Sequence, residues 1–296
     1  MGVALALAAM VSFASNILIT RFAVTRMAVD GGFFVVLLSN ILFPLALFCV
    51  ELALRAAPLA WNWKAAGLFA LAGVIGTYLG RRFLFDAVEL LGPARASVFH
   101  STAPAFALVG AWLLANEHLG AYELALMAVV WAGLWLTQPR AGSGAAGLPR
   151  ETLRKGMLAG LGAVAGFGFG NVLRGLGMRD WNEALLGAVL SSLAALVLQV
   201  ATTRDWGRIA AQFRAGRRGA FALYAGCGVA TSLGSVFVAM AMRRMEIALA
   251  VLIVHTTPIV IFPVSVLLLK NREAVTPRTL LGASLVLGGI GLLAFR

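Results

Sequence analysis

Residues 76–104 read GTYLGRRFLFDAVELLGPARASVFHSTAP, and the same pattern returns without a gap at 230–258 as ATSLGSVFVAMAMRRMEIALAVLIVHTTP, about half a chain later. The copies share Thr77/Thr231, Leu79/Leu233, Gly80/Gly234, Phe83/Phe237, Ala87/Ala241, Ala94/Ala248, Ala96/Ala250, Thr102/Thr256 and Pro104/Pro258. Alanine and leucine identities carry little weight in so apolar a chain; the glycine, phenylalanine, threonine and proline identities carry more. If each half holds an odd number of membrane spans, the copies face opposite ways across the bilayer, which is the inverted-repeat architecture of secondary transporters.

The rest of the chain fits that frame. Of 296 residues, 61% are hydrophobic and 12% charged, a balance that a water-soluble domain of this size does not keep. A spanning helix needs about 20 mostly apolar residues. Such runs recur near residues 2–20, 33–54, 65–87, 93–115, 121–138, 156–174, 184–203, 218–241, 247–269 and 277–295. The expected fold is therefore an all-α integral membrane protein with ten transmembrane helices in two inverted five-helix repeats. The repeats cover residues 1–138 and 156–296. A linker loop at 139–155 joins them, marked by Pro139, Pro149 and the small-residue run Gly142 to Gly147. A second basic loop, Arg204 to Arg218, connects spans seven and eight. No loop is long enough to fold alone, so function belongs to the membrane part.

No basic segment, short apolar core and small-residue cleavage site occur together near Met1, so residues 1–20 read as a retained first helix. The net charge of +12 would point to nucleic acid in a soluble protein. Here most Lys and Arg sit at span ends and in short loops, so they report membrane orientation, and no nucleic-acid partner is expected. Counted by loop, the excess lies opposite the termini, at Arg21, Arg26, Arg150, Arg154, Arg204, Arg208, Arg217 and Arg218 among others, which places both termini outside. Cys49 and Cys227 fall inside predicted spans without metal spacing and read as small core hydrophobes. No metal or cofactor is expected.

The run Gly92-Pro-Ala-Arg-Ala-Ser-Val-Phe-His-Ser-Thr-Ala-Pro104, followed by Ala111-Trp-Leu-Leu-Ala-Asn-Glu-His118, resembles the EamA domain of the drug/metabolite transporter superfamily. The second half repeats it, with Ala248-Leu-Ala-Val-Leu-Ile-Val-His-Thr-Thr-Pro258 leading to Leu267-Leu-Leu-Lys-Asn-Arg-Glu273, where the family has a short Gly-Glu turn before the last helix of each domain. Asn16 with Arg21 is similar to the family's Asn-then-basic pattern in span one, and Asn171 with Arg174 is a looser echo in span six. The resemblance implies ten helices, a central cavity between the halves and cytoplasmic termini. That last implication conflicts with the loop charges, and orientation stays open between them.

Ionisable groups at membrane depth are costly and face a cavity or a partner. Arg81 lies inside span three on one helical face with Gly73 and Thr77. Its repeat counterpart is Ser235. Two copies of a scaffold can pack alike but must differ where they hold an asymmetric ligand, so this pair is informative. The structural alternative is that Arg81 and Arg82 reach headgroups or pair with Asp86 and Glu89.

His100 and His255 each precede a proline within a span. Ser97, His100, Ser101 and Pro104 share one face, as do Val251, His255 and Pro258. A mid-helix proline, Pro104 or Pro258, frees a backbone carbonyl one turn earlier, and a polar strip beside a helix break suits a midplane binding site. Histidine also titrates in the physiological range, so either ring could couple proton movement to transport. The alternative is a hydrogen bond between helices. Thr102 and Thr256 stand beside the same prolines, and Asn16 and Asn171 offer amides in spans one and six. The expected substrate-binding set is Asn16, Thr77, Arg81, His100, Ser101, Thr102, Asn171, Ser235, His255 and Thr256, with no catalytic residue.

A secondary transporter moving a small-molecule substrate by alternating access, in the export direction, is the leading reading. An intramembrane enzyme is the main rival, together with a non-transporting channel or scaffold. The chain contains no His-Glu-x-x-His, no Gly-x-Ser-x-Gly and no pair of mid-membrane aspartates, which disfavours the enzyme. Spans one and six hold no acidic residue, unlike the small multidrug relatives that this superfamily resemblance brings in, so a cationic-drug antiporter is disfavoured too. With Arg81 as the deepest charge, an anionic or zwitterionic substrate such as an amino acid or organic acid fits better. The expected setting is the cell's inner membrane, as a multi-pass monomer or homodimer in the lipid bilayer.

Overall fold

The computed structural model describes residues 1–55, 58–91, 99, 102–137, 149–257, 259–261, 264 and 277–294. Among the described residues all regular structure is helical. In chain order the helices are α1 (Gly2–Ala23), α2 (Val29–Leu54), α3 (Trp63–Leu91), α4 (Ala103–Ala115), α5 (Ala121–Thr137), α6 (Arg150–Asp180), α7 (Ala184–Thr202), α8 (Trp206–Ala215), α9 (Ala220–Met242), α10 (Ile247–Val254) and α11 (Pro277–Ala294). Helices α1, α2, α3, α6, α7 and α9 are each long and apolar enough to cross a membrane. Val50, Leu113, Trp135, Val197 and Leu287 each leave more than half their surface uncovered, as suits side chains that face lipid.

The chain forms two compact units. The first comprises Met1–Val74 and Leu173–Arg244, the second Ile75–Val172 and Met245–Arg296, so each unit draws on both halves of the sequence. The chain passes from one unit to the other inside α3, inside α6 and between α9 and α10. Helix α6 already begins at Arg150, within the stretch read from sequence as linker: Pro149 precedes it and Glu151 sits in its first turn, a helix-start signal.

In the first unit α1 packs along α9, and α2 packs on both α9 and α7. The ring of Phe69 is fully buried in a core with Phe48, Met178, Trp181 and Leu186. Glycines make room for it: a Cβ on Gly187 would lie 2.5 Å from the ring and one on Gly177 3.2 Å from it. The Tyr224 ring occupies the space above Gly32, and its hydroxyl donates to the Met27 carbonyl at 2.9 Å. Pro44 lies inside α2, where its ring nitrogen cannot donate to the carbonyl of Asn40, one turn earlier. The Ser232 hydroxyl of α9 donates to that carbonyl instead, at 3.3 Å. At the far end of α2, Arg55 bonds Glu183 at 2.6 and 3.0 Å and Glu51 at 2.5 Å. Glu183 first and Glu51 second push its pKa above the ordinary arginine value, so it stays charged throughout.

The loop expected between spans seven and eight folds into α8. Asp205 caps it by accepting from the Arg208 amide at 2.8 Å, and Ile209 is buried. Gln212 accepts from the Gly31 amide at 2.7 Å, Arg208 pairs with Asp30, and Trp206 meets Phe34 at 5.5 Å between ring centroids. Docking on α2, rather than length, stabilises this short helix.

In the second unit α5 packs along α11, and α10 packs on α4. Helix α4 ends at Asn116, the one described non-glycine residue in the left-handed region (φ 53°). That turn buries Glu117, whose carboxylate accepts from the Ile247 and Ala248 amides at 2.8 and 3.4 Å, the first two residues of α10. An anion thus closes a helix N-terminus inside the protein.

Two outcomes follow. A Cβ at Gly73 would stand 2.0 Å from the backbone oxygen of Ser191, which cannot swing away, whereas one at Gly67 meets nothing within 4 Å. Gly73→Ala is expected to destabilise the protein by about 1–3 kcal/mol and Gly67→Ala to leave thermal melting in detergent unchanged or slightly raised; equal melting for both would refute the α3–α7 approach. Glu117→Gln keeps an acceptor but loses the charge, with an expected cost of about 1–2 kcal/mol, and Glu117→Ala orphans two amides and is expected to cost more. Melting temperatures in the reverse order would show that the carboxylate is not the cap.

Candidate functional site

Helix α3 changes form along its length. It is α-helical over Trp63–Ala72, widens into a π-helix over Gly73–Leu79 and resumes as α over Gly80–Leu91. Thr77 lies in the π segment and Arg81 in the first turn after it, both half-buried. Glycines hold this part of α3 against α6 in the second unit. A Cβ on Gly80 would come within 3.3 Å of Phe167, and one on Gly166 within 2.9 Å of the Gly80 Cα. Asn171 is half-buried on the same α6. The matching helix of the second repeat, α9, is regular α from Ala220 to Met242, and its half-buried Ser235 stands where Arg81 stands in the first. The two copies therefore differ in backbone form as well as in charge. Single-turn π segments are costly and concentrate at functional sites.

Two helix boundaries in the second unit fall beside the predicted prolines. Helix α4 starts at Ala103 with Pro104 in its first turn, where a missing N–H leaves no bond unmade. The Thr102 hydroxyl donates to the Phe99 carbonyl at 2.7 Å. Helix α10 ends at Val254, and His255, Thr256 and Thr257 form a turn. The Thr256 hydroxyl donates to the Ile253 carbonyl at 2.6 Å and the Thr257 hydroxyl to Val254 at 2.9 Å. Thr102 and Thr256 are repeat counterparts and make the same bond, so both are tied to the local backbone. His255 places Nδ1 2.8 Å from the Val251 carbonyl. A carbonyl only accepts, so at this distance Nδ1 is the donor. His100, Ser101 and Pro258 lie outside the described residues.

The first unit holds Asn16 and Ser235. Asn16 is half-buried on α1, its Oδ1 3.4 Å from the Thr20 hydroxyl, which also lies 3.3 Å from the Cys227 sulfur on α9. Thr231 completes this seam by donating to the Cys227 carbonyl at 2.7 Å. Sequence reasoning passed over Asn40, 4% exposed with an Oδ1 that has no hydrogen-bond partner among the described residues, and over Glu117. Pro44, four residues after Asn40 inside a predicted span, was the available signal for the first. Among the described residues no group of three or more His, Cys, Asp or Glu could hold a metal ion.

Comparison with curated protein sequences yields no significant match. The fold is similar to that of a solved chain titled only as the crystal structure of a protein, with a TM-score of 0.74 at 16% identity, covering 100% of this chain and 97% of that one. At that identity the likeness shows the fold alone. The profile of the EamA-like transporter family matches twice, at residues 1–138 and 154–295. Two matches in tandem, together with the apolar helices and the repeated Thr102/Thr256 turn, identify the chain as a multi-pass membrane protein of the EamA-like transporter family.

Proposed function

We propose that this transporter moves a small anionic or zwitterionic metabolite, an amino acid or an organic acid, outward across the cell's inner membrane by alternating access. The observation that carries the reading is Arg81. It lies ten residues, about 15 Å along the helix axis at 1.5 Å per residue, before the end of α3, a helix long and apolar enough to cross a membrane. A guanidinium keeps its charge at any accessible pH, so at that depth it requires anionic or polar company. Its counterpart Ser235 is neutral, and only Arg81 follows a π segment. A substrate with one anionic end accounts for a difference of that kind between the two copies. His255, beside the end of α10 in the same unit, is the candidate for a proton-coupled step.

The test begins with a thermal-shift screen of the purified protein against small metabolites, since a ligand of the folded state stabilises it. The stabilising compounds are expected to carry a carboxylate. Arg81→Ser, which copies the second repeat, is then expected to reduce their counterflow in proteoliposomes by at least about tenfold while shifting the melting temperature little. Transport that persists in Arg81→Ser, or a variant that no longer folds, makes Arg81 a structural residue and ends the substrate-charge argument.

A further inference from the structure

We infer that Arg243, Arg244 and Asn182 form a vestibule that binds the carboxylate of a small soluble anion. The inference rests on the transport reading above. In the first unit a cavity of about 370 Å³ is lined by Met178, Asn182, Met240, Arg243 and Arg244, where α6 and α9 end. That volume equals the share of roughly a dozen waters, enough for an amino acid or a tricarboxylate. Two guanidiniums and one amide offer N–H donors, and a guanidinium fork matches the two oxygens of a carboxylate. Met178 and Met240 give the wall an apolar, deformable part that adapts to different carbon skeletons.

Two acids near this end of the first unit are already engaged with other cations. Glu183 is bound to Arg55, and Asp180 pairs with Lys64 at 2.7 Å. Among the described residues neither Arg243 nor Arg244 forms an ion pair; the Arg244 guanidinium rests on the Met1 sulfur.

The repeat supplies an independent argument. Counted along the ungapped alignment, Met240, Arg243 and Arg244 occupy the positions of Asp86, Glu89 and Leu90. Those three residues, with Lys155, also line a cavity, of about 600 Å³, in the second unit. The same repeat positions thus border a cavity in each unit, yet one carries two carboxylates and the other two guanidiniums. A gap left by helix ends needs neither sign. The opposite sign at Glu89 and Arg243, with Asp86 against Met240 and Leu90 against Arg244, suits two mouths that meet different groups, and the arginine mouth meets the carboxylate.

Citrate is the probe, titrated calorimetrically into protein held in a neutral detergent, with lysine as the cationic control. Wild type is expected to bind citrate and not lysine. R243Q/R244Q is expected to weaken citrate at least about tenfold, R243E to abolish it, and E89Q to leave it unchanged. Should the double variant not fold, Asn182→Leu takes its place with a smaller expected loss. Citrate affinity equal in wild type and R243Q/R244Q overturns the proposal. So does a dependence on these arginines seen only with phosphatidylglycerol nanodiscs, which would make the cavity a lipid-headgroup site. Citrate binding that survives Arg81→Ser but not R243Q/R244Q supports the vestibule. If no compound is transported while citrate binding still depends on Arg243 and Arg244, the transport reading fails and the vestibule stands.

Discussion

A hydrocarbon interior offers no water, so every backbone group that a helix leaves unpaired there must be taken up by the protein itself. The unusual features of this chain answer to that constraint. Pro44 frees the Asn40 carbonyl, and Ser232 reaches across from α9 to take it. The π segment of α3 begins four residues after Phe69, whose carbonyl receives the Ser191 hydroxyl at 2.7 Å. Thr102, Thr256 and Thr257 return their hydroxyls to carbonyls at helix boundaries, and Glu117 closes the amides that open α10. In each case a short polar side chain does what water does at the end of a soluble helix. Short side chains reach a neighbour only if the backbones approach closely, and glycine permits that approach: at Gly73 to Ser191, at Gly166 to Gly80, and at Gly133 to the Gly282 carbonyl.

The repeat is therefore a repeat of contacts as well as of letters. Gly80 meets Phe167 in the second unit and Gly234 meets Phe13 in the first, and both members of the pair are repeat counterparts. Helix α3 on α6 and helix α9 on α1 accordingly use one packing solution twice. Where helices gain nothing from hiding apolar surface, since lipid is as apolar as they are, a fitted glycine–aromatic contact supplies dispersion energy and fixes register. Each unit takes segments from both sequence halves while keeping this contact, because the helices that match across the repeat pack within a unit on a helix from the other half.

Much of this was legible in the sequence, and what was not has physical reasons. Long apolar runs gave the helices because 20 residues without charge have few other uses, and Thr102 with Pro104 stands at the start of α4, where proline's missing N–H leaves no bond unmade. Helix α8 was hidden because its ten residues mix charge and apolar groups too briefly for a period, and it depends on α2 for Gln212, Arg208 and Trp206 to find partners. The π segment was hidden because no residue type demands it; it arises where Gly73, Gly76 and Gly80 let neighbouring backbones press against α3. Glu117 was quoted as part of a family-like turn, but its role became readable only when the fold brought Ile247 to it, 130 residues away. Arg81 was the most legible candidate, since charge in an apolar run needs no structure to be noticed.

A duplicated scaffold also separates architecture from ligand. Positions that match across the copies, such as Thr102 and Thr256 or Gly80 and Gly234, are engaged in bonds and contacts that any protein of this shape must make. The Glu117 carboxylate is likewise engaged by the scaffold, since it accepts from the backbone amides that open α10. Positions where one copy is charged and the other neutral or opposite, Arg81 against Ser235 and Glu89 against Arg243, gain nothing from the scaffold's symmetry. Charge in or beside a bilayer is expensive to keep without a partner. The scaffold's symmetry thus does not account for mismatched charges such as Arg81 against Ser235 and Glu89 against Arg243, and these are the positions assigned to the proposed asymmetric ligand.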